Sequence, residues 1–519
     1  MNASSDKKTA IKIAKHRAKS PLEEIEDEKK FRLAFEAHQA VFEHQNPNLD
    51  YSKSKLFKNV ARYTPALSEG YIKSVVRLAR AEQQAVASGQ TADNPFQGFA
   101  FGADDLQFTN PISKLCFYPW VLFSGGQGAR TAKAAQSIHD PNNDNWITKK
   151  SEDKRVVVLG DSGGYQIQEQ TIPFDPNETP ERMLRWLEGV ADQSMVLDFP
   201  TGGVATGAMV PHVQRLIAED VDVFGEAKKA GFSSGFMAAL IRTKQNNQYF
   251  ADHRIAGATN LLNVIQGRNE EESRYWYEQV RGYPFDGWAF AGKHSVQLSL
   301  TLRRLIQMRD NGKLRPNSYM HFLGVSTFKV GCALSMIQRA LRKYTDAKGI
   351  QLTFDSKSPV DAMANGYQAI VGYDFGPDRW SVRTEKTNLK RYANSDVLLA
   401  DAAGEWVAKR HGRHKARSTL GYILKLQDLV GAVDPKTYKR TPSSLQQALL
   451  VHHNTQALIE GFRKAYRFLD RKSFADRPQS IAQLDEIIRA IFIAEDPFAV
   501  IDEWAVQLDA LSYEGVFGK

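Results

Sequence analysis

Cysteine is nearly absent: Cys116 and Cys332 are the only two in 519 residues. So few exclude a disulfide framework and a cysteine-rich zinc site, and they suit a reducing, cytoplasmic setting. Long apolar runs are missing too. No stretch reaches the ~18 consecutive apolar residues of a membrane span, so no membrane partner is expected. The Lys-rich N-terminus lacks the apolar centre of a secretory signal, and the acidic residues from Glu23 onward do not suit a transit peptide. There is no internal repeat and no low-complexity tract.

Positive charge is in excess. The formal net charge is +9 and the isoelectric point is near 9.2, which fits either a polyanionic partner or a solvated basic surface. The charge is clustered. Lys7, Lys8, Lys12, Lys15, Arg17 and Lys19 crowd residues 1–20, which read as a flexible basic arm. Lys409, Arg410, Arg413, Lys415 and Arg417, with His411 and His414, crowd a second segment.

After the arm, Leu22 to His44 reads as a mixed-charge helix with Leu33, Phe35, Val41 and Phe42 on its apolar side. Ser68 is a candidate N-cap for a helix through Ile72, Val75 and Leu78. Gly89 to Gly102 reads as a linker, so residues 21–109 form an N-terminal helical segment. From about 110 to 394 strands and helices alternate. The apolar runs are Cys116–Phe123, Val156–Leu159, Met195–Leu197, Leu261–Ile265, Trp288–Phe290, Tyr319–Leu323 and Leu352–Phe354. Between them lie helical stretches such as Asn269–Gln279, Val296–Met308 and Phe328–Tyr344. This α/β pattern predicts a (β/α)8 TIM barrel, with a doubly wound sheet as the alternative. Residues 395–519, with amphipathic stretches at Leu445–Phe468 and Ile481–Ile493 and a last helix to Leu511, read as an appended helical, basic, nucleic-acid-binding domain.

The apolar runs end in polar residues: Asp161-Ser162-Gly163-Gly164, Asp198-Phe199-Pro200, Gln266-Gly267-Arg268, Gly292-Lys293-His294, Gly324-Val325-Ser326 and Asp355-Ser356-Lys357. In a barrel these lie together on the C-terminal rim, where active sites are built. One such end is explained by a cap or a turn; six, three of them aspartates, point to a site.

Gly160-Asp161-Ser162-Gly163-Gly164 also matches the nucleophile loop of trypsin-like proteases and, formally, the Gly-x-Ser-x-Gly elbow. The α/β texture and the scarcity of cysteine do not suit the former. His16, His38, His44 and His139 lack the setting of a protease histidine, and Tyr165 stands where those enzymes carry proline. For the elbow, His294 and His321 do not fall where a late triad histidine is expected. Asp161, rather than Ser162, is the expected working group.

Asp161-Ser162-Gly163-Gly164-Tyr165-Gln166, Val264-Ile265-Gln266-Gly267, Phe322-Leu323-Gly324-Val325 and Phe354-Asp355-Ser356, in this order, resemble the tRNA-guanine transglycosylase superfamily. The resemblance covers about residues 110–375 and implies a (β/α)8 barrel that exchanges guanine in a polynucleotide for a 7-deazaguanine. Such an exchange needs one carboxylate as nucleophile and a second group as acid and base, as in a retaining glycosidase. The resemblance implies Asp355 as nucleophile and Asp161 as acid/base. It further implies that Asp198 accepts guanine N1–H and the exocyclic amine, that Gln266 and the backbone N–H near Gly292 donate to O6, and that Ser162 supports. Tyr165 and Leu323 match positions that sandwich the base, with Gly324 beside them; core packing explains Leu323 as well. No cofactor is implied.

Two departures stand out. The zinc motif of the tRNA enzymes, Cys-x-Cys-x2-Cys…His, is absent, because both cysteines precede Asp355; without thiolates, His411, His414, His452 and His453 make a weak metal set. The nucleophile loop Pro-Thr-Arg-Asn-Ala-Arg-Asn-Gly of the bacterial tRNA enzymes reads here Pro359-Val360-Asp361-Ala362-Met363-Ala364-Asn365-Gly366, without the two arginines that read uridines. Phe354-Asp355-Ser356 is closer to the archaeosine-forming branch. These departures fit the superfamily's DNA-acting branch of phages and bacterial modification clusters, and so a bacterial or phage-infected cytoplasm. The implied partners are DNA with a flipped or single-stranded guanine and a free 7-deazaguanine base; a protein that opens the duplex is a further candidate partner. Arg379, Trp380, Arg383, Lys409, Arg410, Arg413, Lys415 and Arg417 are expected to line one groove leading to Asp355, with Trp380 stacking. A divergent RNA-guanine transglycosylase and an inactive nucleic-acid-binding paralogue are the alternatives.

Overall fold

In the computed structural model of the chain, the described residues are 50–131, 153–206, 215, 221–325, 327–376, 380–407, 413–436, 439–470 and 479–510. The basic arm, the helix expected over 22–44, His139, Ser326, His411 and Leu511 lie outside them.

Eight parallel strands make one sheet: β1 (Arg62–Pro65), β2 (Trp120–Ser124), β3 (Val157–Asp161), β4 (Gln193–Met195), β5 (Asn260–Ile265), β6 (Gly287–Phe290), β7 (Tyr319–Phe322) and β8 (Gln351–Ser356), in the order β1-β8-β7-β6-β5-β4-β3-β2. An isolated parallel bridge joins Ala66 to Leu122, and the Leu67 N–H donates to the Leu122 carbonyl at 3.2 Å. The two end strands thus meet, and the sheet all but closes into a barrel. Strands such as Leu261–Ile265 and all of β8 are buried along their length, as expected where helices cover the outside of a parallel sheet.

The helices include α1 (Glu69–Ser88), α2 (Thr179–Val190), α3 (Ser234–His253), α4 (Glu270–Val280), α5 (Leu298–Asp310), α6 (Phe328–Tyr344), α7 (Ser358–Ala364), α8 (Ser444–Arg467), α9 (Gln479–Ile493), α10 (Pro497–Glu503) and α11 (Ala505–Ala510). The Ser68 side chain accepts from the Tyr71 N–H, as an N-cap does. Among the described residues no helix is long and apolar enough to cross a membrane.

Two boundaries differ from expectation. The barrel begins upstream of residue 110, because Arg62-Tyr63-Thr64-Pro65 is its first strand. Arg62 is half-buried there, with its guanidinium 4.5 Å from the Trp120 ring. The helix expected at Leu445–Phe468 is not part of an appendage. Phe462 of α8 stacks on Tyr63 of β1 at 5.0 Å and packs edge-on against Phe354 of β8 at 5.0 Å. α8 therefore covers the seam between β8 and β1 and serves as the eighth barrel helix. Between β8 and α8 the chain inserts a three-stranded antiparallel sheet, β10-β9-β11, from β9 (Gln368–Phe375), β10 (Trp380–Lys386) and β11 (Arg413–Lys415). Further on, α9 packs on α6, and Asp509 of α11 accepts from the Ser299 N–H and hydroxyl of α5 at 2.9 and 2.8 Å.

Candidate active site

All eight strands run the same way, so the residues at their C-terminal ends share one rim. Asp161 closes β3, Asp355 lies one residue before the end of β8, and Asp198 and Gln266 follow β4 and β5. Strand register supplies partners that the linear pattern conceals. Ser124 pairs with Asp161 across β2 and β3, and its hydroxyl donates to Asp161 Oδ2 at 2.8 Å. His321 pairs with Thr353 across β7 and β8. Its Nδ1 lies 2.9 Å from the Thr353 hydroxyl and its Nε2 3.3 Å from Asp355 Oδ1. The Gly324 N–H donates to the same Oδ1 at 2.7 Å. Both contacts fall on Oδ1. The backbone of Gly324, a residue expected beside the base, thus holds this carboxylate.

The three aspartates sit in different environments. Burial raises the pKa of Asp161, the Asp355 charge raises it further, and hydrogen bonds from Ser124 and the Gly163 N–H work against the shift. Burial raises Asp198 to about 7, with the Asp161 charge adding to the shift and Gln266 opposing it. Gln266 Nε2 donates to Asp198 Oδ2 at 2.7 Å, while its Oε1 faces the Thr201 hydroxyl at 3.3 Å. Gln266 therefore orients Asp198, leaving one amide N–H for another acceptor. The rim can supply a carboxyl group fixed through one oxygen, a carboxyl group inclined to hold a proton, and a carboxyl–amide pair offering acceptor and donor side by side.

The glycines of the opening motif have a steric reason. A Cβ on Gly163, whose φ is +84°, would sit 2.5 Å from the Gly126 nitrogen, and one on Gly164 would sit 2.5 Å from the Asp198 carbonyl oxygen. The loops after β2, β3 and β4 touch backbone to backbone, and this brings Asp161 and Asp198 together. Ser162 is fully buried and donates to the Val196 carbonyl at 3.1 Å, so it ties β3 to β4 and has no histidine on it. His294 is buried between Ser273 at 2.8 Å and the Ala291 carbonyl at 2.9 Å. Serine-hydrolase chemistry has no support in this arrangement. Tyr165 is 56 % exposed, Leu323 is half-buried and Gly292 is exposed on the rim.

No family model matches this chain, and no curated protein sequence matches it significantly.

The residues expected to hold nucleic acid are described only in part. Arg379, Lys409 and Arg410 lie outside the described residues, and Arg413 is described only as backbone, in β11. Trp380 cannot stack on a base: it is 1 % exposed, packed 5.1 Å from Phe375 and 5.3 Å from Phe468. Arg383 is exposed. Lys415 and Arg417 line a pocket with Arg463, Lys464 and Arg467 of α8. Tyr466, within that stretch, donates to the Ala61 carbonyl at 2.8 Å. Because Ala61 precedes β1, this end of α8 lies beside the N-terminal ends of the strands, away from Asp355. His452 and His453 are buried, with His453 between the Ser418 hydroxyl at 2.5 Å and the Ile370 carbonyl at 2.9 Å. Among the described residues no group of three or more His, Cys, Asp or Glu is arranged to hold a metal ion.

Proposed function

We propose that the protein is a DNA-guanine transglycosylase, exchanging guanine in DNA for a 7-deazaguanine of the preQ0 type through a covalent aspartyl–sugar intermediate. The observation that carries this reading is the convergence of Asp355, Asp161 and Asp198 on one rim in three different environments. Asp355 Oδ2 attacks C1′ of the nucleotide while His321 and the Gly324 N–H hold Oδ1. The C1′–N9 bond breaks, its electron pair leaves with guanine, and protonated Asp161 gives guanine a proton. The incoming base then loses its N9 proton to Asp161, N9 attacks C1′, and Asp355 is released. Two inversions give net retention. Ionised Asp198 accepts guanine N1–H and the exocyclic amine, and Gln266 offers its second N–H to O6.

DNA is favoured over RNA by the nucleophile loop. Where the similar tRNA enzymes carry uridine-reading arginines, this chain has Asp361 and Ala364, and Asp361 lies 3.8 Å from Lys357. The test is incubation of the protein with duplex DNA, tRNA and a labelled 7-deazaguanine. Label is expected in DNA, with a covalent DNA–protein adduct that Asp355→Ala abolishes and Ser162→Ala keeps. Label in tRNA alone would favour the RNA enzyme. Label in neither, with Asp355→Ala binding DNA like the parent, would favour an inactive paralogue.

A further inference from the structure

Among the described residues, one basic cluster lies away from the rim. Lys415, Arg417, Arg463, Lys464 and Arg467 line one pocket with Tyr373 and Glu460. Glu460 is the only carboxylate among the described residues of that lining, and it is already engaged. It accepts from the Tyr51 hydroxyl at 2.7 Å and pairs with Arg463 Nε at 3.1 Å. Asp401, from the helix Leu399–Val407, acts on Lys415, whose ammonium also lies 5.4 Å from the Tyr422 ring. Five cations among the described residues thus share a partly buried space with Glu460, and Asp401 acts on one of them. Guanidinium forks beside an ammonium are the donor set that suits phosphate oxygens.

We propose that this pocket binds a phosphate group, supplied by a nucleic-acid backbone or by a small phosphorylated molecule. The proposal stands on the pocket alone and holds whether or not the rim exchanges bases. Burial, with Arg417 and Arg467 close by, pushes the Lys464 ammonium down to about 8, while Glu460 acts in the opposite sense. An arriving phosphate reverses that balance, so binding above pH 8 takes up a proton.

The test is calorimetric titration of the full chain at pH 8.5, in two buffers of different ionisation enthalpy, with inorganic phosphate and separately with a short DNA duplex. The proteins are the parent, Lys464→Gln/Arg467→Gln, and a control, Lys73→Gln/Arg77→Gln, on an exposed face of α1. The pocket variant relieves repulsion, so its melting temperature is expected at or above the parent's. If it does not fold, Arg417→Gln is used instead, with weaker binding expected and the proton uptake by Lys464 retained. The expected result is proton uptake by parent and control, and at least tenfold weaker binding without uptake in the pocket variant. For a nucleic-acid source, the slope of log K against log salt also falls by about 1–2, at ~0.9 per phosphate contact. Weakened phosphate binding with unchanged DNA affinity and slope assigns the pocket to a small phosphorylated ligand. Equal phosphate and DNA affinities in parent and pocket variant overturn the proposal. Failure of the transglycosylase reading would instead appear as absent base exchange with phosphate binding intact.

Discussion

Replacing Asp198 with asparagine should stabilise the protein, and more so in alkali than in acid. The folded carboxyl titrates at about 7 against an ordinary value of 3.8. Between those values the folded state binds more protons than the unfolded one, so stability falls as pH rises through the window and levels off above it. At ~1.4 kcal/mol per unit, the ionised buried carboxylate costs about 4 kcal/mol at pH 8.5 and about 2 kcal/mol at pH 5.5. Asparagine carries no such charge and keeps an oxygen for the Gln266 amide. Losing the charge on that hydrogen bond gives back about 1 kcal/mol. The gain from Asp198→Asn should therefore be about 2 kcal/mol larger at pH 8.5 than at pH 5.5. For a chain of this length, at an unfolding entropy of ~2 cal/mol/K per residue, that is a difference of ~2 °C in melting temperature. Calorimetric melts of parent and variant at the two pH values measure it. A gain equal at both, or larger at pH 5.5, would refute the assignment of a buried, ionisable Asp198. The same variant should lose affinity for the guanine-type base by about 100-fold, because an amide N–H2 then faces the base's own donors.

Ser162→Ala should cost about 1–2 kcal/mol of stability, since it leaves the buried Val196 carbonyl without its donor, and should change the exchange rate by less than about tenfold; a loss as large as that of Asp161→Asn would return the serine to the chemistry. Trp380→Ala should lower stability by about 3–5 kcal/mol through the cavity left between Phe375 and Phe468 while leaving the DNA affinity of folded protein unchanged; the reverse pattern in melting and binding assays would mean that the indole contacts nucleic acid. His321→Leu should slow adduct formation by about 10–100-fold at unchanged base affinity, with His321→Gln recovering part of the rate; equal rates in single-turnover labelling would show that the imidazole does not position Asp355.

Periodicity exposed the strands that are uninterrupted apolar runs. Val157-Val158-Leu159 and Leu261 through Ile265 have both faces buried and break into polar loops at one end. β1 has no such signature. Arg62-Tyr63-Thr64-Pro65 turns Tyr63 to Phe462 and lays half-buried Arg62 over Trp120, so a cation stands where the pattern demands an aliphatic residue. α8 was legible as an amphipathic helix, but amphipathicity does not say what the apolar face covers. The sheet inserted between Gln368 and Lys415 separates α8 in sequence from the β8–β1 seam that it closes. Only the contacts of Phe462 with Tyr63 and Phe354 reveal that this helix belongs to the barrel.

The candidate site divides along the same line. Asp161, Asp198 and Asp355 were legible because a polar residue that ends an apolar strand has few structural reasons to be there. Ser124 and His321 were not, because each matters through a neighbour across the sheet, and register is a property of pairing rather than of spacing. The alternation in β8 offered part of the answer, since Thr353 and Asp355 share a face, but the strand bearing His321 had still to be placed beside it. Trp380 makes the converse case. A tryptophan between Arg379 and Arg383 resembles a stacking platform on a basic surface. Yet in the strand Trp380-Ser381-Val382-Arg383 the indole shares its face with Val382, and the phenyl rings of Phe375 and Phe468 cover it. A surface reading of one aromatic residue therefore needs the polarity of its i+2 neighbour, and here that neighbour pointed to the core.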